Sequence, residues 1–316
     1  MKIVITDADT VTGGDLSFEI FNSFGDVTVY GLTAPDKTAE RIADADIVLC
    51  NKTPMTADSL KFAEKLKYIG LFATGFNNID LDYTSTHGIT VCNVPGYSTE
   101  AVVQHTFALI LEILCKTAEY NNTVARGDWV KSRTFSYFPI PLYELAGRTI
   151  GIVGFGSIGR RVADVAKAFG MKVLVYKRSQ VDDTTVTEVT LDELLQNSDI
   201  VSLHCPLNAD SENMMNADSF AEMKNGAVFI NTARGGLVDE KALREALLSG
   251  KLSGAGLDVL RHEPMSPDCP LLGIKNCIIT PHVAWAGLET RQRLMNIVAE
   301  NLRSFLNGRP VNTVIG

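Results

Sequence analysis

The chain has 316 residues, of which 46% are hydrophobic and 21% are charged, and its formal net charge is −8. At roughly 100 to 200 residues per domain, this length corresponds to about two domains, and the composition excludes a disordered or fibrous protein. The excess of acidic side chains argues against nucleic acid as a partner, because binding to phosphates depends on an excess of Lys and Arg.

The N-terminal third of the chain alternates short apolar runs with amphipathic helical spacing. Because such alternation builds a parallel sheet covered by helices on both faces, it predicts an α/β domain. The first strand is not preceded by an apolar segment with a small-residue cleavage site, so we expect no signal peptide. The predicted strands cover residues 2–6, 27–30, 46–50, 67–72 and 89–93.

A long helix is predicted from near residue 98 to about residue 119. Ser98 is a suitable N-cap, and Glu100 lies in the first turn, where a carboxylate interacts favourably with the helix dipole. The most apolar window, 106–115, is too short to span a bilayer, so we expect a soluble protein without a membrane partner. The stretch 121–141 is rich in aromatic residues and prolines, and we interpret it as an arm or linker.

A second alternation of strands and helices begins at Arg148. Helices fit between its strands, among them 157–169 and 240–248, and the stretch 288–306 predicts one long amphipathic helix. The predicted strands cover residues 149–153, 172–176, 200–203, 227–230, 254–257 and 277–280.

Six cysteines are spread along the chain without a CxxC pair. In a chain of this length, that spacing predicts reduced thiols in a cytoplasmic protein and neither a disulfide framework nor a zinc site. We therefore expect no metal. The cysteines are Cys50, Cys92, Cys115, Cys205, Cys269 and Cys277.

A glycine-rich motif lies between a predicted strand and a predicted helix. Gly154 permits a tight turn, Gly156 lets the backbone approach a pyrophosphate, and Gly159 allows the helix to pack closely on the strand. The first helical turn, which includes Ser157 and Ile158, offers N–H donors to phosphate oxygens. The motif predicts a dinucleotide site, and the alternative is a glycine-rich turn with only a structural role.

The choice of dinucleotide is normally set about 20 residues further on, where an acid binds the adenosine ribose. Here that position holds Lys177, Arg178 and Ser179, and the first acid is Asp182. Because two cations and a hydroxyl group can bind a 2′-phosphate, we expect NADP(H) to be preferred over NAD(H). The alternative is that both cations are solvated and that either cofactor is used.

Three chemically complementary side chains follow strands of the second alternation. Arg234 lies in a loop bounded by glycines, Glu263 follows a second strand, and His282 follows a third. Because ligands of open α/β sheets bind at the carboxyl ends of strands, we expect the three to act together on a 2-oxo acid. Arg binds the carboxylate, His transfers the proton, and the acid orients His. Singly, such residues are more often structural, and that is how we interpret His87, His105 and His262, whereas His204 is not assigned a role.

Four segments, 153–159, 231–236, 258–264 and 280–285, carry a family resemblance. Through them the chain resembles the D-isomer-specific 2-hydroxyacid dehydrogenases over essentially its whole length. The resemblance implies that Arg234 binds and polarises the substrate, that Glu263 pairs with the acid/base His282, and that Asp258 contacts the nicotinamide carboxamide. It also implies backbone or packing contacts to the cofactor from Cys205, Pro206, Thr232 and Ala233.

The resemblance extends to the first domain. Segment 72–80 is similar to the family loop whose backbone N–H groups, here those of Thr74 and Gly75, hold the substrate carboxylate. Lys52 is expected to contact the substrate as well. Segments 51–54 and 93–100, with the context of Trp285, are similar to the glycerate dehydrogenase (hydroxypyruvate reductase) branch. Lys177 departs from the usual ribose-binding acid of the family, so the resemblance does not imply NAD specificity.

The expected α/β fold has two Rossmann-like domains, one flavodoxin-like and one dinucleotide-binding, with parallel sheets and an interdomain cleft. Residues 1–97 and 286–316 form the discontinuous substrate-binding domain, and residues 98–285 form the dinucleotide-binding domain. The resemblance implies a homodimer, and the aromatic residues of the arm are candidates for its interface.

The expected reaction is reduction of hydroxypyruvate to D-glycerate, with glyoxylate as a second substrate. One alternative is another D-2-hydroxy acid, such as D-lactate or 3-phosphoglycerate. The phosphorylated substrate is disfavoured, because no basic cluster beyond Lys52 is evident near the Thr74 loop. A third possibility is a nicotinamide-sensing interaction protein without turnover.

Overall fold

The computed structural model describes residues 1–178 and 183–314. The chain divides into two compact units, Met1–Ser98 with Ala286–Gly316, and Thr99–Trp285. Each unit contains one parallel sheet, of five strands in the first and seven in the second. The predicted α/β class with two parallel sheets is confirmed.

The first unit is built on a sheet with strand order β2-β1-β3-β4-β5. Its central strands are continuous apolar runs because both faces of the sheet are covered, and all four residues of β3 and of β4 are buried. The elements are β1 Lys2–Ile5, β2 Asp26–Val29, α1 Thr38–Ile42, β3 Ile47–Cys50, α2 Ala57–Leu60, β4 Tyr68–Leu71, α3 Leu81–Thr86 and β5 Thr90–Cys92.

The second unit is built on a sheet with strand order β12-β11-β10-β9-β6-β7-β8. Helices α4 and α5 precede this sheet in the chain, and α6 to α9 connect its strands. One apolar cluster includes α4 and α6 side chains packed against β6, β7 and β10. The elements are α4 Thr99–Cys115, α5 Thr117–Ala125, β6 Thr149–Val153, α6 Ser157–Ala168, β7 Lys172–Tyr176, β8 Thr187–Glu188, α7 Leu191–Asn197, β9 Ile200–Leu203, α8 Ala217–Glu222, β10 Ala227–Asn231, α9 Glu240–Leu248, β11 Leu252–Leu257 and β12 Cys277–Ile279.

The last helix, α10 (Leu288–Leu306), belongs to the first unit. The ring of Phe305 packs on that of Tyr68, with 4.7 Å between the ring centroids. After α10, Thr313 pairs with Cys92, and the N–H of Val314 donates to the carbonyl of Val91. The end of the described chain is thereby tied to the edge strand β5.

The prediction of one helix from residue 98 to residue 119 is wrong. α4 ends at Cys115 because Lys116 adopts a left-handed backbone conformation with φ of 52°. The Glu112 carboxylate accepts hydrogen bonds from the Thr117 hydroxyl and from the Ala118 N–H, and it thereby caps a second helix, α5. α5 extends to Ala125 and occupies part of the stretch that was expected to be irregular.

Strand β8 was not predicted. It has only two residues, both exposed, so it carries no apolar signal. The other predicted boundaries either agree with the structure or differ from it by one or two residues, and α9 and α10 have the predicted bounds.

Within the described ranges, no single helix is long and apolar enough to cross a membrane, and α4 and α5 pass that test only as a pair bent by 52°. All six cysteines are free thiols, of which Cys50 and Cys92 are buried. No group of three or more His, Cys, Asp or Glu side chains that could hold a metal ion occurs among residues 1–178 and 183–314.

Candidate active site

The glycine loop joins β6 to α6. Gly154 has a φ of +95°, and a Cβ there would lie 2.6 Å from the backbone nitrogen of Cys205. A Cβ on Gly159 would lie 2.2 Å from the Gly154 carbonyl oxygen, whereas one on Gly156 would meet nothing within 4 Å. α6 begins at Ser157 without a side-chain cap, so its first N–H groups are available to a phosphate. The residues present therefore fit a dinucleotide pyrophosphate.

A cavity of about 460 Å³ opens beside the glycine loop. It is lined by Tyr176 at the end of β7, by Lys177 and Arg178 directly after that strand, and by residues after β9 that include Cys205 and Asp210. The Arg178 guanidinium lies 2.5 Å from the Asp210 carboxylate. Both cations predicted to select the cofactor thus line this cavity, whereas Ser179 lies outside the described residues.

Two groups beside this cavity are in their neutral forms near neutral pH. Desolvation lowers the pKa of His204 to about 3, and its Nε2 lies 2.9 Å from the Ser202 hydroxyl oxygen. Burial raises the pKa of the Cys205 thiol, whose Sγ lies 3.7 Å from the sulfur of Met214. The surroundings of these two residues indicate that they pack against the glycine loop.

The side-chain amide of the buried Asn231 holds the backbone of the Arg234 loop. Asn231, at the end of β10, accepts a hydrogen bond from the Ala233 N–H at 3.0 Å and donates one to the Arg234 carbonyl at 2.9 Å. A Cβ on Gly235 would lie 1.9 Å from the carbonyl carbon of Leu260, so only glycine fits there. The exposed Arg234 side chain therefore extends from a backbone whose position is well determined.

The neighbouring predicted cofactor contacts are partly inaccessible. Thr232 is buried, and its hydroxyl oxygen lies 3.1 Å from that of Thr106 on α4. Ala233 packs against an apolar cluster of the same unit, as does Cys205. Pro206 is exposed.

His282 is paired with Glu263. The distance from His282 Nδ1 to Glu263 Oε2 is 2.6 Å, and the other Glu263 oxygen accepts a hydrogen bond from the Leu260 N–H at 3.0 Å. Because Leu260 also packs on Gly235, the loops that carry Glu263 and Arg234 are in contact. His282 Nε2 has no hydrogen bond to a described residue and is available to a ligand. The structure thus brings two of the three predicted catalytic side chains into direct contact and connects the third to them through its loop.

The turn that carries His282 is stabilised by hydrogen bonds to Asp258, whose side chain is only 1% exposed. Its carboxylate accepts hydrogen bonds from the N–H groups of Val283 at 2.9 Å and Ala284 at 2.8 Å, and from the Thr280 hydroxyl at 2.5 Å. His282 itself adopts a left-handed backbone conformation with φ of 55°. These contacts show Asp258 holding the turn, and its contact to the nicotinamide carboxamide stays a prediction.

His105, which the sequence analysis interpreted as structural, takes part in the same hydrogen-bond network. Its Nε2 lies 2.8 Å from the Thr280 hydroxyl oxygen and 3.5 Å from the Asp258 carboxylate. Through His105, helix α4 therefore contacts and stabilises the turn after β12. A histidine on an amphipathic helix carries no signal for such a contact, because its partners lie far away in the chain.

The predicted substrate contacts Lys52, Thr74 and Gly75 lie in the first unit. The backbone of Lys52 is held by the buried Asp7, whose carboxylate accepts hydrogen bonds from the N–H groups of Asn51, Lys52 and Thr53. The Thr74 hydroxyl donates to the Val94 carbonyl at 2.6 Å. Sequence reasoning missed Asp7, and its only signal was an acid directly after the first apolar strand.

A family model described as "D-isomer specific 2-hydroxyacid dehydrogenase, NAD binding domain" matches residues 107–284. A hydroxypyruvate reductase from Blautia hydrogenotrophica is 42% identical to the chain over 99% of both proteins. A glycerate dehydrogenase from Methylorubrum extorquens is 40% identical over 99% of this chain and 98% of that protein.

Two solved structures match this chain over nearly its whole length. An acyclic imino acid reductase in complex with NADPH and D-Arg superposes with a TM-score of 0.89 at 34% identity, covering 100% of both chains. A D-lactate dehydrogenase from Aquifex aeolicus, complexed with NAD and lactic acid, superposes with a TM-score of 0.87 at 31% identity, covering 99% of both.

Proposed function

Because the chain belongs to the family of D-isomer-specific 2-hydroxyacid dehydrogenases, we propose that it reduces hydroxypyruvate to D-glycerate, with glyoxylate as a second substrate. This proposal depends on one observation. His282 Nδ1 lies 2.6 Å from Glu263 Oε2, and the loop that carries Glu263 contacts the loop that carries Arg234. The activities named for the Blautia and Methylorubrum relatives support hydroxypyruvate and D-glycerate as the reaction pair.

The residues of this chain divide the chemistry between them. The glycine loop and the cavity beside it would hold a reduced nicotinamide dinucleotide, which would supply the hydride to the carbonyl carbon. The Arg234 guanidinium binds the substrate carboxylate and polarises the carbonyl group. His282 Nε2 donates a proton to the carbonyl oxygen, and Glu263 fixes the orientation of the ring through its contact with Nδ1. Lys52 and the N–H groups of Thr74 and Gly75 are proposed as further contacts to the substrate.

The proposal includes a preference for NADP(H) over NAD(H). Lys177 and Arg178 both line the cavity beside the glycine loop, where the adenosine ribose of a dinucleotide would bind. A guanidinium and an ammonium group favour a 2′-phosphate over a free hydroxyl group. Related structures contain NADPH in one case and NAD in another, so the choice depends on the residues of this chain.

The purified protein is expected to oxidise NADPH fastest with hydroxypyruvate, more slowly with glyoxylate and least with pyruvate, as measured by absorbance at 340 nm. Each substrate is tested with NADPH and NADH, and 3-phosphohydroxypyruvate is included as the phosphorylated competitor. If turnover is highest with pyruvate or with 3-phosphohydroxypyruvate, that acid is the substrate and the proposal of hydroxypyruvate is wrong. A strong preference for NADH would refute the role given to Lys177 and Arg178, and no turnover with any 2-oxo acid would favour a nicotinamide-sensing interaction protein.

We also propose that the protein is a cytoplasmic homodimer joined through its aromatic arm, residues 121–141. Phe135 and Phe138 are 91% and 82% exposed, and Val130 beside them is 89% exposed. Apolar side chains exposed to this extent on one segment are typical of a surface that binds a partner. Six free thiols support a reducing compartment.

Analytical ultracentrifugation is expected to show a dimer for the native protein and a monomer for the double variant Phe135→Ser/Phe138→Ser, because the substitution removes apolar area from the interface. Phe62→Ser, which changes an exposed phenylalanine of the first unit, is the control and should remain dimeric. A native monomer, or a double variant that stays dimeric, would refute the assignment of the arm.

A further inference from the structure

Two oppositely charged side chains meet above the glycine loop. Arg178 follows β7 and Asp210 follows β9, and β6 lies between these two strands in the sheet. The two side chains reach toward each other to within 2.5 Å, and both line the cavity beside Gly154 and Gly156. A ligand that enters this cavity therefore meets a cation that already has a carboxylate partner.

The position of Asp210 is set by a hydrogen-bonded turn. The side-chain oxygen of Asn208 accepts hydrogen bonds from the N–H groups of Asp210 at 3.0 Å and Ser211 at 3.2 Å. The Ser211 hydroxyl in turn donates to the Pro206 carbonyl at 2.8 Å and accepts from the Asn208 N–H at 2.8 Å. The backbone beneath the Asp210 carboxylate is thus held in place, which favours a defined pair with Arg178 over a chance encounter on the surface.

We propose that Asp210 is a specificity-determining residue that limits the preference of this protein for 2′-phosphorylated dinucleotides. A 2′-phosphate must displace the carboxylate from Arg178 and tolerate its negative charge nearby, whereas an unphosphorylated ribose can donate a hydroxyl hydrogen bond to it. Because Arg178 and Asp210 are both well exposed, their ion pair is weak and can be displaced. Lys177 forms no ion pair with a described residue and keeps its attraction for phosphate.

This inference rests on the cofactor part of the proposed function. It adds a negatively charged residue whose effect on the choice of cofactor is opposite to that of the two cations. Lys177 and Arg178 favour the 2′-phosphate, and Asp210 opposes it. We therefore expect the protein to accept both NADP(H) and NAD(H). Replacing Asp210 by a neutral residue should enlarge its preference for NADP(H).

The test measures binding of two probes that differ only in the 2′-phosphate, 2′,5′-ADP and 5′-AMP, by isothermal titration calorimetry. In Asp210→Asn, 2′,5′-ADP is expected to bind roughly threefold to tenfold more tightly, while the affinity for 5′-AMP stays within about twofold. The matched control is Glu245→Gln, which removes the same charge from an exposed ion pair with Arg244 on α9, away from the cavity.

A second comparison shows whether Asp210 acts through Arg178. In the Arg178→Ala background, adding Asp210→Asn is expected to change the affinity for 2′,5′-ADP by much less than it does alone, because the shared partner is gone. A full effect in that background would overturn the competition for Arg178. Equal tightening of both probes, no tightening, the same gain in Glu245→Gln, or no binding of either probe would overturn the inference.

These titrations are independent of turnover. If the probes bind as expected but no 2-oxo acid is reduced, the proposed activity fails and the role of Asp210 stands. If hydroxypyruvate is reduced but Asp210→Asn binds 2′,5′-ADP like the native protein, the role of Asp210 fails and the activity stands.

Discussion

Replacement of His282 by Ala is expected to lower kcat for hydroxypyruvate by about 10²- to 10⁴-fold, the usual contribution of a positioned acid or base. The ring has a carboxylate partner, Glu263 at 2.6 Å, and a second nitrogen that is not bonded to the described residues. The affinity for NADPH, measured by fluorescence titration, should change by less than about twofold, since the glycine loop and the cavity are untouched.

The left-handed backbone at residue 282 calls for a second variant. His282→Asn removes the acid but suits a positive φ better than Ala does, so it controls for strain in the turn. Glu263→Gln keeps a hydrogen-bond partner for the ring and removes the charge, and its loss of kcat should be smaller than that of His282→Asn. If turnover is unchanged in both His282 variants, or if cofactor affinity falls as much as turnover does, His282 is not the proton donor.

Replacement of Arg234 by Ala is expected to lower kcat/KM for hydroxypyruvate by about 10²- to 10³-fold, because it removes a charge-assisted pair with the substrate carboxylate. Arg234→Lys keeps the charge but loses the planar fork with its two parallel hydrogen bonds, so it should recover only part of the loss. Oxamate, an unreactive mimic of a 2-oxo acid, should lose affinity in the same order when its inhibition constant is measured.

The control for this series is Arg244→Ala, which removes an exposed arginine of α9 in the same unit. Its kinetic constants should match those of the native protein. Because the Arg234 backbone is held by Asn231 and by the close approach of Gly235 to Leu260, the fold should tolerate loss of the side chain. A variant Arg234→Ala that binds oxamate like the native protein would refute the role of this guanidinium.

The elements with a strong local pattern could be predicted from the sequence. Strands β6, β7 and β9 and helices α9 and α10 are apolar runs or amphipathic repeats, and their bounds agree with the prediction. The break at Lys116 could not be predicted in this way, because α4 and α5 read as one continuous helical pattern and only the Glu112 side chain caps the second helix.

The residues of the candidate site also fall into those that could be predicted from the sequence and those that could not. Each of the three proposed catalytic side chains could be selected from its position after a strand, since parallel strands present their carboxyl ends at one edge of the sheet. The residues that hold those side chains could not be picked. Asp7 binds the Asn51 N–H 44 positions away, Asp258 binds Ala284 26 positions away, and Arg178 pairs with Asp210 32 positions away.

By itself, therefore, the sequence determined the α/β class, the parallel sheets and the glycine loop, and it indicated Arg234, Glu263 and His282 as candidate catalytic residues, because each has a signature within a few neighbouring residues. The tertiary structure alone decided which acid holds which loop, that His204 packs under the glycine loop in its neutral form, and that Arg178 faces a carboxylate. Those outcomes depend on desolvation and on hydrogen bonds between distant segments, and neither leaves a mark on the local pattern of residues.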